Sequence, residues 1–341
     1  MKSPEPLGRQ LNNNAGGQGS SPASARLSTS RGYLIALAAT VLLSFTGIMI
    51  SYLIRQFALP SLVVAFWRAL FVSLGLFALF GVIQPKLLRI NCSHWLFMLL
   101  FGLTLATFNS AWTFSVQFNG AAIGTVLAYS SPAFTALISH WLLSEKITGV
   151  KIISIVLTFI GIILVAQAYE PTAWRLNPLG ILFGLLTGLM FAIYSLFGKQ
   201  AAEKSINSWT TLLYSFGIGA GFLLIFNVVS DIFFNLSPLS NLLWLGASFE
   251  GWMILLLLAL GPTIGGFGLY IMSLGYLPAT VVNLIAAAEP AFTAVWAYLL
   301  WGEQLKSIQL LGAGLILMSV ILLRLKAESD VIGGKSSTFT K

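Results

Sequence analysis

Long apolar runs, separated by short polar connections, dominate the chain between residues 32 and 325. An α-helix needs about 20 residues to cross a hydrocarbon layer roughly 30 Å thick. A membrane β-barrel would instead alternate apolar and polar residues in segments of about ten. The pattern therefore predicts an all-α polytopic membrane protein with ten transmembrane helices, at residues 32–54, 62–84, 94–116, 120–142, 149–168, 178–199, 208–230, 251–274, 278–300 and 307–325.

The composition excludes a water-soluble protein. Of the 341 residues, 57% are apolar and only 8% are charged, whereas about 25% are charged in an ordinary soluble domain. The single cysteine, Cys92, and the two histidines are too few for a disulfide framework or a metal cluster. We therefore expect neither a metal nor a cofactor.

The basic residues indicate the orientation in the membrane. Of the 18 Lys and Arg residues, 14 lie on the side of the two termini, 3 lie on the other side, and Arg68 lies inside the second helix. Because cytoplasmic loops retain Lys and Arg, both termini are predicted to be cytoplasmic in the cell membrane. Residues 1–31 and 326–341 are expected to be cytoplasmic tails, the first of them disordered. The broken stretch 231–250 is expected to be a loop with an interfacial segment.

An internal repeat divides the chain into two halves. The pentapeptide Pro132–Ala136 recurs unchanged at Pro290–Ala294, and the same offset of 158 residues places Glu145 on Glu303. The predicted repeats are residues 32–168 and 178–325, with five helices each. Because five is odd, the second copy enters the membrane from the opposite side, which gives an inverted repeat. Such repeats are typical of alternating access around a site near the membrane midplane.

The repeated segments also carry a family resemblance. Residues 288–292 (AEPAF) followed by 299–303 (LLWGE), with the weaker echo 131–134 (SPAF) and 142–145 (LLSE), resemble the signature of the EamA family in the drug/metabolite transporter superfamily. The resemblance covers residues 32–325. It implies a ten-helix transporter built from two inverted five-helix repeats, usually an exporter of amino acids, metabolites or other small organic molecules.

Ionisable groups at membrane depth are costly and are candidates for function. Glu289, beside Pro290, is interpreted as a coupling carboxylate that is protonated alternately from each side, or else as a structural acid paired with another helix. Arg68 is interpreted as a group that holds a substrate anion, as a partner of Glu289, or as a side chain that snorkels to the membrane boundary. His140 and Glu145, near a helix end, are expected to be interfacial and loop-capping residues.

Two prolines and several polar or aromatic side chains suggest a binding chamber. Pro132 and Pro290 are expected to break their helices, because proline lacks the N–H that continues the ladder. The chamber is expected between spans one, three, four, six, eight and nine. Its predicted substrate-binding residues are Asn109, Trp112, Tyr129, Ser131, Tyr194, Tyr270 and Asn283.

Glycine pairs at GxxxG spacing are expected to let helices approach closely. Examples are Gly184 with Gly188 and Gly217 with Gly221. Gly261, which precedes Pro262, belongs to a further pair and could make the eighth helix bend.

The sequence favours a secondary transporter that exports small organic solutes by alternating access. No metalloprotease, intramembrane aspartate, Walker or nucleophile-elbow motif is present, so we predict neither an enzyme nor an ATP-driven pump. The expected partners are a small-molecule substrate, lipid and protons, but not nucleic acid. The alternatives are an uncoupled facilitator or channel for small metabolites and a non-transport membrane receptor. A monomer and a homodimer both remain open.

Overall fold

A computed structural model describes residues 22–119, 121–171, 177–234, 242–301 and 306–333. Within these ranges every regular element is a helix. The α-helices are α1 Pro22–Phe57, α2 Ser61–Ile83, α3 Trp95–Asn119, α4 Ala121–Ala128, α5 Ser131–Leu142, α6 Gly149–Val165, α7 Pro178–Glu203, α8 Ser208–Phe234, α9 Phe249–Leu258, α10 Ile264–Leu274, α11 Ala279–Ala286, α12 Glu289–Trp301 and α13 Ser307–Gly333.

These helices form the ten predicted membrane spans. In the described part of the chain, eight helical segments are long and apolar enough to cross a membrane. The other two spans are α6, an apolar helix of 17 residues, and the fourth span, which is divided into α4 and α5. The eighth span consists of α9 and α10, joined by a π-helical turn, and the ninth consists of α11 and α12.

Four helices extend at least four residues beyond their predicted bounds. α1 begins at Pro22 instead of residue 32, α7 ends at Glu203 instead of 199, α8 ends at Phe234 instead of 230, and α13 ends at Gly333 instead of 325. The prediction of a disordered tail over residues 1–31 was therefore wrong for residues 22–31, and residues 1–21 lie outside the described part of the chain. An apolar run marks the length that lipid covers, whereas good helix formers such as Ala and Arg continue the backbone ladder beyond it.

The helices alternate in direction, so their connections lie on two faces. We call the face with residues 84–94, 143–148, 204–207 and 275–278 the basic face, and the other one the opposite face. On each face a hydrogen bond joins the end of a helix to a connection. On the basic face, Lys199 Nζ of α7 donates to the Leu277 carbonyl at 3.3 Å. On the opposite face, Trp244 Nε1 donates to the Phe57 carbonyl at 2.6 Å.

The main helix pairings obey the inverted repeat. The repeat relates α1 to α7, α2 to α8, α3 to α9–α10, α4 to α11, α5 to α12 and α6 to α13. Two related pairs pack against each other, α2 with α8 and α6 with α13. The remaining major pairings have counterparts: α3 packs on α7 as α1 packs on α9–α10, and α5 packs on α7 as α12 packs on α1.

The symmetry is broken between the two faces. At the basic face, α5 packs against α11, and α7 packs against both α10 and α11. The related pairs at the opposite face, α12 with α4 and α1 with α3 or α4, show no comparable packing among the described residues. The bundle is therefore closed at the basic face and parted at the opposite face, between α1–α12 and α3–α4.

Glycines permit the closest helix approaches. A Cβ on Gly161 would lie 2.7 Å from the Gly312 carbonyl oxygen, so α6 and α13 touch backbone to backbone. A Cβ on Gly188 of α7 would lie 3.0 Å from the Leu127 carbonyl oxygen, next to the break between α4 and α5. The predicted close approach at Gly184 and Gly188 is confirmed. In contrast, Gly221 has nothing within 4 Å, so its predicted packing role was wrong.

The eighth span is irregular at the predicted place. A π-helical turn, Ala259–Thr263, contains Pro262, and the Thr263 hydroxyl donates to the Leu258 carbonyl at 2.7 Å. A proline inside a helix removes one backbone hydrogen bond, and here a side-chain hydroxyl satisfies a nearby carbonyl in part compensation.

We expect Gly188→Val to destabilise the protein by roughly 1–3 kcal/mol, because the added methyl groups overpack against the broken fourth span. A thermal unfolding scan in detergent measures the effect as a lower melting temperature. Gly221→Val is the matched control, since the surroundings of Gly221 are open among the described residues, and it should not lower the melting temperature in this way. Equal melting temperatures for all three proteins would contradict the packing described.

Candidate functional site

Both repeats contain an interrupted helix at mid-span. α4 ends at Ala128 and α5 begins at Ser131, while α11 ends at Ala286 and α12 begins at Glu289. Each interruption therefore lies just before its proline, because neither Pro132 nor Pro290 can donate to the carbonyl four residues earlier. The breaks place Tyr129 and Glu289 where the backbone leaves the helical ladder.

Arg68 lies deep inside the bundle. Its side chain is only 8% exposed, and Nη2 donates to Asn109 Oδ1 at 2.6 Å. The Asn109 amide nitrogen donates to the Leu105 carbonyl at 2.8 Å, which fixes the amide with its oxygen toward Arg68. Among the described residues, Arg68 Nε has no hydrogen-bond partner. The interpretation that Arg68 snorkels to the boundary was therefore wrong, since Asn109 holds it inside.

Glu289 lies at the start of α12 and is half-buried. The Tyr129 hydroxyl and the positive charge of Arg68 both lie close enough to interact favourably with its carboxylate. No direct ion pair joins Arg68 to Glu289 in the described part of the chain, because the guanidinium is directed to Asn109 instead. Opposite charges from α2 and α12 are thus held near each other without being in contact.

Trp112 and Ser131 lie close to these groups in the sequence and differ in exposure. Trp112 follows Asn109 by three residues on α3, so both side chains lie on one helix face, and Trp112 is partly exposed. Ser131 is fully buried, and its hydroxyl has no hydrogen-bond partner in the part of the chain that the structure describes. In the repeat Ser131 corresponds to Glu289, so the carboxylate is present in only one half.

A buried network of amide and hydroxyl groups joins four helices at mid-depth. Asn283 of α11 donates from Nδ2 to Thr135 Oγ1 of α5 at 2.6 Å and to Ser195 Oγ of α7 at 2.8 Å. The Ser195 hydroxyl is 2.6 Å from the Tyr270 hydroxyl of α10. Each of these four side chains is at most 1% exposed. Tyr270 and Asn283, both predicted to bind substrate, thus bridge helices in this conformation.

Tyr194 lies in the aromatic core and not beside the charged groups. It is fully buried, and its ring centroid is 4.6 Å from that of Phe101 and 6.0 Å from that of Phe267. In this conformation the Tyr194 ring packs among aromatic rings, and its predicted role in substrate binding stays a prediction. Only its depth could be inferred from the sequence, not the direction of its side chain.

Two stacked aromatic pairs were not among the residues predicted to line a chamber. Phe108 and Phe191 stack at 5.1 Å between α3 and α7. Phe45 and Trp296 stack at 4.2 Å between α1 and α12, and Trp296 Nε1 donates to Ser44 Oγ at 2.9 Å. All four aromatic side chains are partly exposed. With aromatic residues at 13% of the chain, position alone does not distinguish them from packing residues.

The predicted residues at the basic face act as helix-end and loop caps. His140 is exposed, and its Nδ1 is 2.9 Å from the Glu145 carbonyl oxygen. The Glu145 carboxylate accepts a hydrogen bond from the Ala279 backbone N–H, at the start of α11, at 2.9 Å. Its repeat equivalent, Glu303, lies outside the described residues. Among those described, no cluster of His, Cys, Asp and Glu could hold a metal ion.

Comparison with known proteins agrees with this architecture. The chain is 25% identical over 306 residues to the uncharacterized inner membrane transporter YicL of Salmonella typhimurium, covering 88% of this chain and 97% of the relative. It is 25% identical to the threonine/homoserine exporter RhtA of Escherichia coli, covering 77% and 83% of the two chains. It is 26% identical to the S-adenosylmethionine uptake transporter of Rickettsia felis, covering 78% and 83%.

A solved crystal structure shares the fold, with a TM-score of 0.70 at 16% identity, over 88% of this chain and 98% of the other. The model of the EamA-like transporter family matches residues 30–167 and 178–325. These two matches coincide with the two five-helix repeats. The chain therefore belongs to the EamA-like transporter family, as a multi-pass membrane protein of ten helices in two inverted repeats.

Proposed function

We propose that this protein is a secondary transporter, and not an enzyme, that exports small organic solutes carrying both charges, amino acids or related metabolites, by alternating access. The observation that carries the proposal is the pair of opposite charges, Arg68 on α2 and Glu289 at the break between α11 and α12, which are not in direct contact among the described residues. A buried charge is costly unless it is compensated. A solute with its own carboxylate and ammonium compensates both.

The proposed solute pose follows from the donors and acceptors. The guanidinium of Arg68, whose Nε has no partner among the described residues, binds the solute carboxylate. A planar guanidinium can donate two parallel hydrogen bonds to one carboxylate. Glu289 and Tyr129 receive the ammonium. Trp112, partly exposed on the Asn109 face of α3, covers the apolar part of the solute. Ser131, Tyr270 and Asn283 complete the site when the helices rearrange.

Glu289 is the proposed coupling group. When it is ionised, Glu289 compensates Arg68 through space. In that state it also attracts the solute ammonium. When Glu289 is protonated, that attraction is lost and the solute is released, so the proton and the solute compete for the same group. Protonation and solute binding are thus linked through one buried charge, and a proton gradient can drive the solute.

The proposed location is the cell membrane, with both termini in the cytoplasm. The distribution of Lys and Arg supports this orientation. The basic face is then cytoplasmic, and the parted face of the bundle is open to the outside. The named relatives include both an exporter and an uptake transporter of amino-acid-like compounds, so they support the solute class more than the direction.

Efflux from proteoliposomes tests the proposal. The liposomes are preloaded with pooled labelled amino acids, metabolites and cationic dyes, and efflux is followed with and without an imposed proton gradient. We expect selective efflux of zwitterionic solutes that responds to the gradient. Efflux that ignores the gradient would indicate the uncoupled facilitator. No efflux of any solute from folded protein would contradict transport of these classes.

A further inference from the structure

Closure of the basic face depends on one side chain that bridges the two repeats. Glu145 follows α5 in the first repeat, and its carboxylate reaches the start of α11 in the second. There Oε1 accepts from the Ala279 N–H at 2.9 Å, and Oε2 accepts from the Thr280 hydroxyl at 2.9 Å. The first N–H groups of a helix have no partner within the helix and carry partial positive charge, so a carboxylate suits them.

The Glu145 carboxylate is itself held in place. Lys151, at the start of α6, donates to Oε2 at 3.3 Å, and both side chains are largely buried, at 13% and 11% exposure. Deeper along the same interface, the Ser139 hydroxyl is 3.1 Å from the Thr280 hydroxyl. Polar contacts therefore line the α5–α11 interface from its rim inward.

On the opposite face the repeat keeps a carboxylate in the sequence, Glu303, but not the side chains that bind Glu145 and Thr280 on the basic face. With the offset of 158, Ala122 stands where the second repeat has Thr280, Ala297 stands where the first repeat has Ser139, and Gln309 replaces Lys151. The hydroxyl groups that join α5 to α11, and the ammonium on α6 that holds Glu145, thus have no chemical equivalents for α12 and α4. This difference agrees with the packing, which joins α5 to α11 but leaves α12 and α4 apart.

We infer that Glu145 is a latch that holds the basic face closed. We also infer that the missing partners on the opposite face make the basic-face-closed, opposite-face-open conformation the resting state. Glu145 acts here as a positioning residue that does not touch the solute. The inference rests on the proposed alternating access. Without solute, the conformation closed at the basic face is the populated one. The Glu145 side chain has to be released from α11 before the basic face opens.

Distances between spin labels test the latch in the full-length protein without any solute. With Cys92, which is exposed, replaced by serine, one label pair on Lys146 and Gly275 spans the basic face. A second pair on Gln56 and Gln117 spans the opposite face between α1 and α3. Electron–electron resonance in lipid nanodiscs then reports both distance distributions.

Removal of the latch should open the basic face. In Glu145→Ala we expect the ratio of open to closed basic face to rise roughly tenfold or more, as expected for losing a hydrogen bond to a charged group, while the opposite-face distance shortens. Thr280→Val, which keeps the Ala279 N–H, should give a smaller shift in the same direction. Glu203→Ala, an exposed carboxylate on the same face, is the matched control and should change neither distance.

Unchanged distributions in a folded Glu145→Ala protein would overturn the inference, as would an equal shift in Glu203→Ala. Because no solute is used, a failure to detect transport would leave this measurement intact. Conversely, unchanged distances in a protein that still transports would remove the latch and leave the proposed function standing.

Discussion

Glu289→Gln is expected to abolish the response of solute efflux to a proton gradient. The amide is nearly the same size as the carboxylate and keeps an oxygen that can accept from the Tyr129 hydroxyl, but it can neither release a proton nor compensate the charge of Arg68. Gradient-driven efflux should therefore fall to the rate seen without a gradient, and its dependence on pH should disappear. Initial efflux rates from proteoliposomes over a series of internal and external pH values measure both effects.

Glu170→Gln is the matched control for this prediction. Glu170 is a carboxylate in the connection between α6 and α7, outside the membrane spans, so its replacement should leave the pH dependence unchanged. Steady transport by Glu289→Gln with the wild-type pH dependence would remove Glu289 from the coupling role. Loss of all flux together with a lowered melting temperature would instead indicate that Glu289 is a structural acid.

Arg68→Leu is expected to weaken solute binding roughly 10- to 100-fold, because a hydrogen bond to a charged group contributes about 1.5–3 kcal/mol. Arg68→Lys keeps the charge and loses the planar fork, so its affinity should lie between those of Arg68→Leu and the wild type. The half-saturating solute concentration for efflux measures the effect once the proteoliposome screen has identified a solute.

Two readouts separate solute binding by Arg68 from a structural role. The control Arg89→Leu removes an exposed charge from the basic face and should leave the half-saturating concentration unchanged. In the wild type, a solute ester, which lacks the carboxylate, should have a higher half-saturating concentration than the free acid. In Arg68→Leu this difference should disappear. If Arg68→Leu transports the acid with wild-type affinity, the guanidinium does not hold the solute.

Much of the fold could be predicted from the sequence because lipid imposes a simple rule. Every backbone group inside the membrane has to be satisfied locally, so an apolar run of sufficient length is a helix. The repeated pentapeptide then showed which helices of the two halves are equivalent. The ends of α1 and α13 were not predictable from the same rule, because outside the lipid the helix is limited by backbone propensity and not by hydrophobicity.

The charged residues of the candidate site could be predicted from the sequence, but their hydrogen-bond partners could not. Arg68 and Glu289 were identified because charge is rare at membrane depth. The hydrogen bond from Arg68 to Asn109 was not predicted, because it joins two helices whose relative rotation depends on packing over their whole length. For the same reason Tyr194, which lies in the aromatic core, and Ser195, which bonds Tyr270, could not be distinguished by sequence position.

The conformation could be inferred only from the structure. The inverted repeat predicts that two related interfaces exist, α5 with α11 and α12 with α4, but not which of them is closed. That choice depends on side chains such as Glu145 and Thr280, whose contacts across the repeats are far apart in the sequence.

A counterflow experiment tests the central claim of alternating access most directly. Liposomes are loaded with a high concentration of unlabelled solute and diluted into a trace of the same labelled solute. A carrier that exposes one site to each side in turn predicts a transient overshoot, with internal label rising above its equilibrium level before it decays. Label that only approaches equilibrium, at a rate unaffected by the unlabelled solute inside, would contradict the account and indicate a channel.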